Sequence, residues 1–156
     1  MHDLILLRHA EAEPVLPGHD DRDRPLSNHG EDEARAAGRW LAQQGARPDR
    51  VLCSPVARTR RTAELALAEL GGGELSDEAG IYDATAGELL ALLDGNATLG
   101  QVLLVGHNPG VERLLALLVS GQSGSFRGVP PAAAAWIRLD GPLEPGAGQL
   151  IAFHSP

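Results

Sequence analysis

Leu4-Ile5-Leu6-Leu7-Arg8-His9-Ala10 is a short apolar run that ends in an arginine and a histidine. A continuous apolar run of this length reads as a strand buried on both faces of a sheet. Arg8 and His9 then stand where the strand leaves the sheet. In an open parallel α/β sheet that edge is where ligands bind. A guanidinium presents a planar fork of donors that matches phosphate oxygens. A neutral imidazole beside it can attack phosphorus without prior loss of a proton.

The rest of the chain alternates in the same way. Residues 11–27 mix acids, two arginines, three prolines and a glycine, which reads as a long functional loop. A helix is expected from about Glu31 to Gln44, with Ala34, Ala37, Gly38 and Leu41 on one face and Gly45 as its stop. Val51-Leu52-Cys53 is a second buried strand. The helix after it carries Ala63, Ala66, Leu67 and Leu70, and Gly71-Gly72-Gly73 ends it. A short strand is expected near Ile81-Tyr82, then a helix over Ala86–Leu93. Val102–Val105 is a third strong strand, followed by a helix faced by Val111, Leu114, Leu115 and Leu118. Ala134–Leu139 and Gln149–Phe153 read as a closing hairpin at the sheet edge, joined by the turn-rich Asp140–Gly148. The pattern predicts one α/β domain over residues 1–156, a three-layer α/β/α sandwich with a mostly parallel sheet.

Three strands therefore end in polar residues. The first ends in Arg8-His9, the second in Ser54-Pro55-Val56-Ala57-Arg58, the third in Gly106-His107-Asn108. Along one edge of a parallel sheet, two arginines and two histidines can converge. That set suits a dianionic phosphoryl group, with arginines on its equatorial oxygens and one imidazole in line with the leaving group.

Bulk properties narrow the alternatives. The chain has 156 residues, 43% of them apolar, enough for a core without staples. Its formal charge of −8 disfavours nucleic acid and anionic membranes as partners. No apolar run approaches a membrane span. Met1-His2-Asp3 lacks the basic start of a signal peptide, and Cys53 is the only cysteine, so a reduced, cytoplasmic setting is expected. Cys53 and Arg58 are separated by four residues rather than the five of a cysteine-phosphatase loop. Gly121-Gln122-Ser123-Gly124-Ser125 fails the Gly-x-Ser-x-Gly hydrolase elbow. His19-Asp20 has no further ligand at metal spacing, so neither metal nor other cofactor is expected. His2, His19, His29 and His154 read as solvent or turn residues, Arg60 and Arg61 as surface residues, and Tyr82 as a packing residue near the pocket.

Four motifs in order carry a resemblance. They are Leu7-Arg8-His9-Ala10, then Pro25-Leu26-Ser27 with Gly30, then Ser54-Pro55-Val56-Ala57-Arg58 with Thr62-Ala63, then Gly106-His107-Asn108. Together they resemble the histidine phosphatase superfamily, the phosphoglycerate-mutase-like proteins. The resemblance implies His9 as the phosphorylated nucleophile, with Arg8, Arg58 and His107 as phosphate ligands. The short length, Asp21-x-x-Arg24-Pro25-Leu26-Ser27, Ile81-Tyr82-Asp83-Ala84 and Gly106-His107-Asn108-Pro109-Gly110 are similar to the small SixA-like phosphohistidine phosphatases.

Longer members place a glutamate proton donor after the second arginine. Here Glu74, Glu78, Asp83 and Glu88 stand in that region, none in a clear donor motif. Asp21 is the expected donor on resemblance to the short branch, against its reading as a solvated loop acid. Asn108 and Arg24 are further expected substrate contacts. The expected chemistry is metal-independent hydrolysis through phospho-His9, with Arg8, Arg58 and a protonated His107 on the phosphoryl oxygens. The expected substrate is a phosphohistidine-bearing protein. A small phosphorylated molecule, such as a sugar or nucleotide-like phosphate, is the alternative. A non-catalytic phosphate- or phosphoprotein-binding module is the alternative of another class. Inorganic phosphate, vanadate and tungstate are the expected pocket ligands.

Overall fold

The computed structural model describes residues 1–124 and 128–156. Ser125 of the elbow-like text lies outside the described residues. The elements run β1 (Asp3–Arg8), α1 (Asn28–Gln43), β2 (Arg50–Cys53), α2 (Ala57–Leu70), β3 (Leu75–Asp77), α3 (Ala86–Asp94), β4 (Gln101–Gly106), α4 (Gly110–Ser120), β5 (Ala134–Leu139) and β6 (Gly148–His154). Single 3-10 turns cover Asp21–Asp23 and Ala79–Ile81.

The six strands form one sheet in the order β3-β2-β4-β1-β5-β6. β3, β2, β4 and β1 are parallel, whereas β5 and β6 run antiparallel as the hairpin at one edge. Alternate side chains of the central strands feed two cores, which explains their unbroken apolar text. Leu4, Leu6, Leu52, Val102 and Leu104 pack under α3 and α4. Ile5, Leu7, Val51, Cys53, Leu103 and Val105 pack under α1 and α2. This is the expected three-layer α/β/α arrangement. No helix of the described residues is long and apolar enough to cross a membrane.

Two expectations need correction. The short strand is Leu75–Asp77, not Ile81-Tyr82. Leu75 pairs with Val51 at the sheet edge, so only one residue of the segment needs to be apolar. Ile81 instead ends a 3-10 turn and is buried as a plug in the α3–α4 core. His154 is not a turn residue. It ends β6 and stacks on Trp40, with ring centroids 5.4 Å apart.

The Pro25-Leu26-Ser27 motif with Gly30 is structural. Ser27 caps α1, its Oγ accepting from Gly30 N at 2.9 Å, while Ser27 N donates to the Glu11 carbonyl at 3.0 Å. A Cβ on Gly30 would lie 2.0 Å from that Glu11 oxygen, so only glycine lets the loop after His9 lie across the helix start.

Candidate active site

Buried polar groups need a reason, because burial without partners is costly. Among the described residues, the buried polar or charged ones apart from Ser27 are His9, Ser54, Arg58, Thr59, Thr62 and His107. His9, Ser54 and His107 directly follow β1, β2 and β4, and Arg58, Thr59 and Thr62 lie in the first turns of α2, the helix after β2. Strand register places them there. Arg8 pairs with Gly106, Cys53 with Val105, and His9 N donates to the Gly106 carbonyl at 3.0 Å. The His9 and His107 rings are 5.3 Å apart.

Each side chain is held from behind. His9 Nδ1–H donates to the Ala10 carbonyl at 2.8 Å, which leaves the Nε2 lone pair free for attack. Thr62 Oγ1 accepts from Ala10 N at 3.0 Å and donates to the Arg58 carbonyl at 2.7 Å, so it ties the His9 strand end to α2. Arg8 Nη1 donates to the Val129 carbonyl at 3.0 Å. Arg58 Nη1 donates to the Asp21 carbonyl at 2.9 Å, and Nη2 to Asp21 Oδ2 at 3.0 Å. Arg8 Nε, Arg58 Nε and His107 Nδ1 are buried without a hydrogen-bond partner among the described residues. The two arginine nitrogens are donors, and with His107 Nδ1 they leave unpaired buried nitrogens in this group of residues that an oxyanion would pair.

Burial pushes the His9 pKa down to about 4, opposed by its bond to Ala10 and helped by the charges of Arg58, Arg8 and Arg24. Burial likewise pushes His107 down to about 3, with His9, Arg58 and Arg8 adding to the effect and Asp21 opposing it. With no phosphoryl group bound, both rings are therefore neutral at pH 7. The sign for stability follows. A histidine with a depressed folded pKa stabilises above its unfolded value of 6.5 and loses that contribution as pH falls through the folded value. Unfolding free energy should be flat above pH 7 and fall between about pH 6.5 and 4, by on the order of 3 kcal/mol for His9 alone. Urea melts across that range check it, and a His9→Ala variant should show the shallower slope.

Asp21 does not look like a resting acid. Its Oδ1 accepts from Arg24 Nη1 at 3.2 Å, its Oδ2 from Arg58 Nη2, and the Tyr82 hydroxyl donates to Oδ2. The Tyr82 hydroxyl, with the two guanidinium groups behind it, holds the carboxyl well below the usual range, so it enters as a carboxylate. Its visible work is to brace Arg58. Arg24 also donates through Nε to the Glu13 carbonyl at 2.8 Å, so it is a loop brace near the pocket rather than a free substrate fork. Asn108 likewise spends its amide internally. Nδ2 donates to Glu112 Oε2 at 3.0 Å and to the Val129 carbonyl at 2.9 Å, the same oxygen that receives Arg8. It frames the Arg8 side of the site.

Tyr82 is closer to the site than a packing residue needs to be. Its ring meets His107 edge-on at 5.4 Å and lies under the Arg22 guanidinium at 4.9 Å. Ile81-Tyr82-Asp83-Ala84 carried that signal, but sequence cannot show the partner. A cavity of about 350 Å³ beside it is lined by Tyr82, Thr85, His107, Asn108 and Arg113. Cys53 is fully buried, and burial with the nearby Asp77 charge pushes its thiol up to about 12, so it is no nucleophile. Glu11, His29 and Glu33 each bring one oxygen or nitrogen within 4.8 Å of the others at the surface.

The chain is similar to known proteins in sequence and in fold. An uncharacterized protein of Mycobacterium tuberculosis is 34% identical over 96% of this chain and 99% of its own length. A 2,3-bisphosphoglycerate-dependent phosphoglycerate mutase of Thermobifida fusca is 49% identical over 46% of this chain and 30% of its own. The SixA structure from Agrobacterium tumefaciens superposes with a TM-score of 0.88 at 29% identity, covering 99% of this chain and 98% of that one. The protein histidine phosphatase SixA in complex with tungstate superposes at 0.79, with 29% identity and coverage of 98% and 96%. Residues 4–92, from β1 into α3, match the model of the histidine phosphatase superfamily (branch 1), and the chain belongs to that superfamily.

Proposed function

We propose that this protein hydrolyses phosphohistidine on a protein partner through a covalent phospho-His9 intermediate. The observation that carries the substrate class is the state of Asp21, a carboxylate already engaged by Arg58, Arg24 and Tyr82. Asp21 thus has no proton to give a leaving group. An alkoxide leaving group needs a proton in the transition state. A phosphohistidine protonated on its own ring leaves as neutral imidazole and needs none.

The chemistry follows from the geometry. Neutral His9 attacks phosphorus through Nε2, the new P–N bond forming in line as the bond to the leaving nitrogen breaks. Arg8, Arg58 and His107 donate to the equatorial oxygens as charge spreads over them in a loose transition state. Water then attacks phospho-His9, the P–N bond breaks, and phosphate leaves. The likeness to SixA structures supports this reading at the level of fold and motif.

The test compares turnover of a phosphohistidine protein with a panel of alkyl and aryl phosphates. Phosphohistidine should be favoured over alkyl esters by at least a hundredfold in kcat/KM, and EDTA should leave the rate unchanged. Preference for a sugar phosphate would move the assignment to small molecules. Metal-restored activity after chelation would overturn the mechanism. A binding module would show tungstate affinity without turnover.

Asp21→Asn separates bracing from proton donation. A brace should slow all substrates together, by about tenfold, as Arg58 loses its charged partner. A donor would instead give a graded loss, large for alkyl phosphates and small for aryl phosphates and phosphohistidine. Steady-state kinetics on the three classes decides between them.

A further inference from the structure

We propose that the buried hydroxyl of Ser54 is a positioning residue that fixes His107 as the Nδ1–H tautomer, so that His107 meets the phosphoryl group as a neutral donor. The inference rests on the phosphoryl-site reading above and adds a residue to it. Ser54 follows β2, and its side chain is fully buried. Its backbone is fixed on both sides: N donates to the Val105 carbonyl at 3.2 Å, and its carbonyl accepts from Thr59 Oγ1 at 2.7 Å and Cys53 Sγ at 3.1 Å. Ser54 Oγ lies 2.9 Å from His107 Nε2. Among the described residues the hydroxyl has no other hydrogen-bond partner.

Two arrangements are possible for that contact. Ser54 can donate its O–H to the Nε2 lone pair, which leaves the ring proton on Nδ1. Alternatively Nε2–H donates to Ser54 Oγ. The Ser54 proton then has no acceptor in a buried site, and Nδ1 carries a bare lone pair. The second arrangement leaves an unsatisfied buried hydroxyl and turns a lone pair, rather than a donor, on any anion that Nδ1 meets. Without a ligand each arrangement leaves one buried donor unpaired, the Nδ1–H in the first and the Ser54 hydroxyl in the second. Once an oxyanion accepts from Nδ1 only the second arrangement leaves one, and that cost corresponds to a preference of roughly tenfold or more for the first. Nδ1 is also the His107 nitrogen that is buried and lacks an internal partner. His9 reaches the same tautomer by a different route, through the Ala10 carbonyl. The two rings thus differ in use. His9 keeps its free lone pair on Nε2 for attack, whereas the Nε2 lone pair of His107 is occupied by Ser54.

Long-range ¹H–¹⁵N correlation of histidine-labelled protein at pH 7, saturated with tungstate, reads the tautomers directly. The wild type should show His107 as Nδ1–H, with His9 as Nδ1–H for internal comparison. Ser54→Ala should populate Nε2–H at His107 and weaken tungstate binding by about tenfold. Ser54→Thr, which keeps the hydroxyl, should recover the tautomer and most of the affinity. His107 found as Nε2–H in the wild type would overturn the proposal, as would a folded Ser54→Ala with unchanged tautomer and affinity. If Ser54→Ala does not fold, the wild-type spectrum alone decides. A wild type that fails to bind tungstate would overturn the phosphoryl-site reading instead, whatever the tautomer.

Discussion

His9→Ala should lower turnover of every phosphoryl substrate by at least about 10⁴-fold, the scale expected when a covalent nucleophile is removed. Among the described residues the site offers no second nucleophile to replace it. His107 Nε2 is engaged by Ser54, and the Cys53 thiol is buried on the α1–α2 side of the sheet. Fold and anion binding should survive. His9 sits past the end of β1, and its own side chain makes one hydrogen bond, to the adjacent Ala10 carbonyl. Arg8, Arg58 and His107 are held by groups other than His9. Tungstate affinity should therefore fall far less than turnover. Acid-quenched labelling should trap an acid-labile phosphoenzyme in the wild type and none in His9→Ala. Persistent labelling would mean that the nucleophile lies elsewhere.

What the sequence made legible divides along physical lines. β1, β2 and β4 are buried on both faces, so their text is continuous and apolar and could be read directly. The residues that follow them could be placed on one edge because parallel strands put their carboxyl ends together. β3 could not be read, because an edge strand of three residues with one paired apolar side chain has no pattern of its own. The resting charge of His107 could not be read, for a different reason. Residue type suggests a cation opposite phosphate, but burial decides the charge, and burial is a property of the folded edge. Asp21 shows the same limit. Its partners Arg58 and Tyr82 lie 37 and 61 positions away, so nothing local separates a solvated acid from the brace of an active-site arginine. Ser54 could be seen in its motif, yet its contact with His107 depends on the register that pairs Cys53 with Val105.

Arg58→Ala should weaken tungstate binding by at least tenfold and lower kcat/KM by about 10²–10³, since its charge acts on oxygens that gain charge in the transition state. Arg58→Lys should restore little. Arg58 spends Nη1 on the Asp21 carbonyl and Nη2 on the Asp21 carboxylate, which leaves Nε without an internal partner. A lysine ammonium is one point charge and cannot span the brace and the anion together. A charge-only role would instead let lysine recover most of the activity. A second readout needs no substrate. The Arg58 charge helps to depress both His9 and His107, so removing it should raise both pKa values. In Arg58→Lys the charge is kept, and both values should stay close to those of the wild type. NMR titration of the ring protons in the two variants therefore separates field from geometry. Low activity with wild-type histidine pKa values in Arg58→Lys would show that the fork, and not the charge alone, is what the site requires. Unchanged tungstate affinity in Arg58→Ala would leave Arg58 only as the clamp on the Asp21 loop.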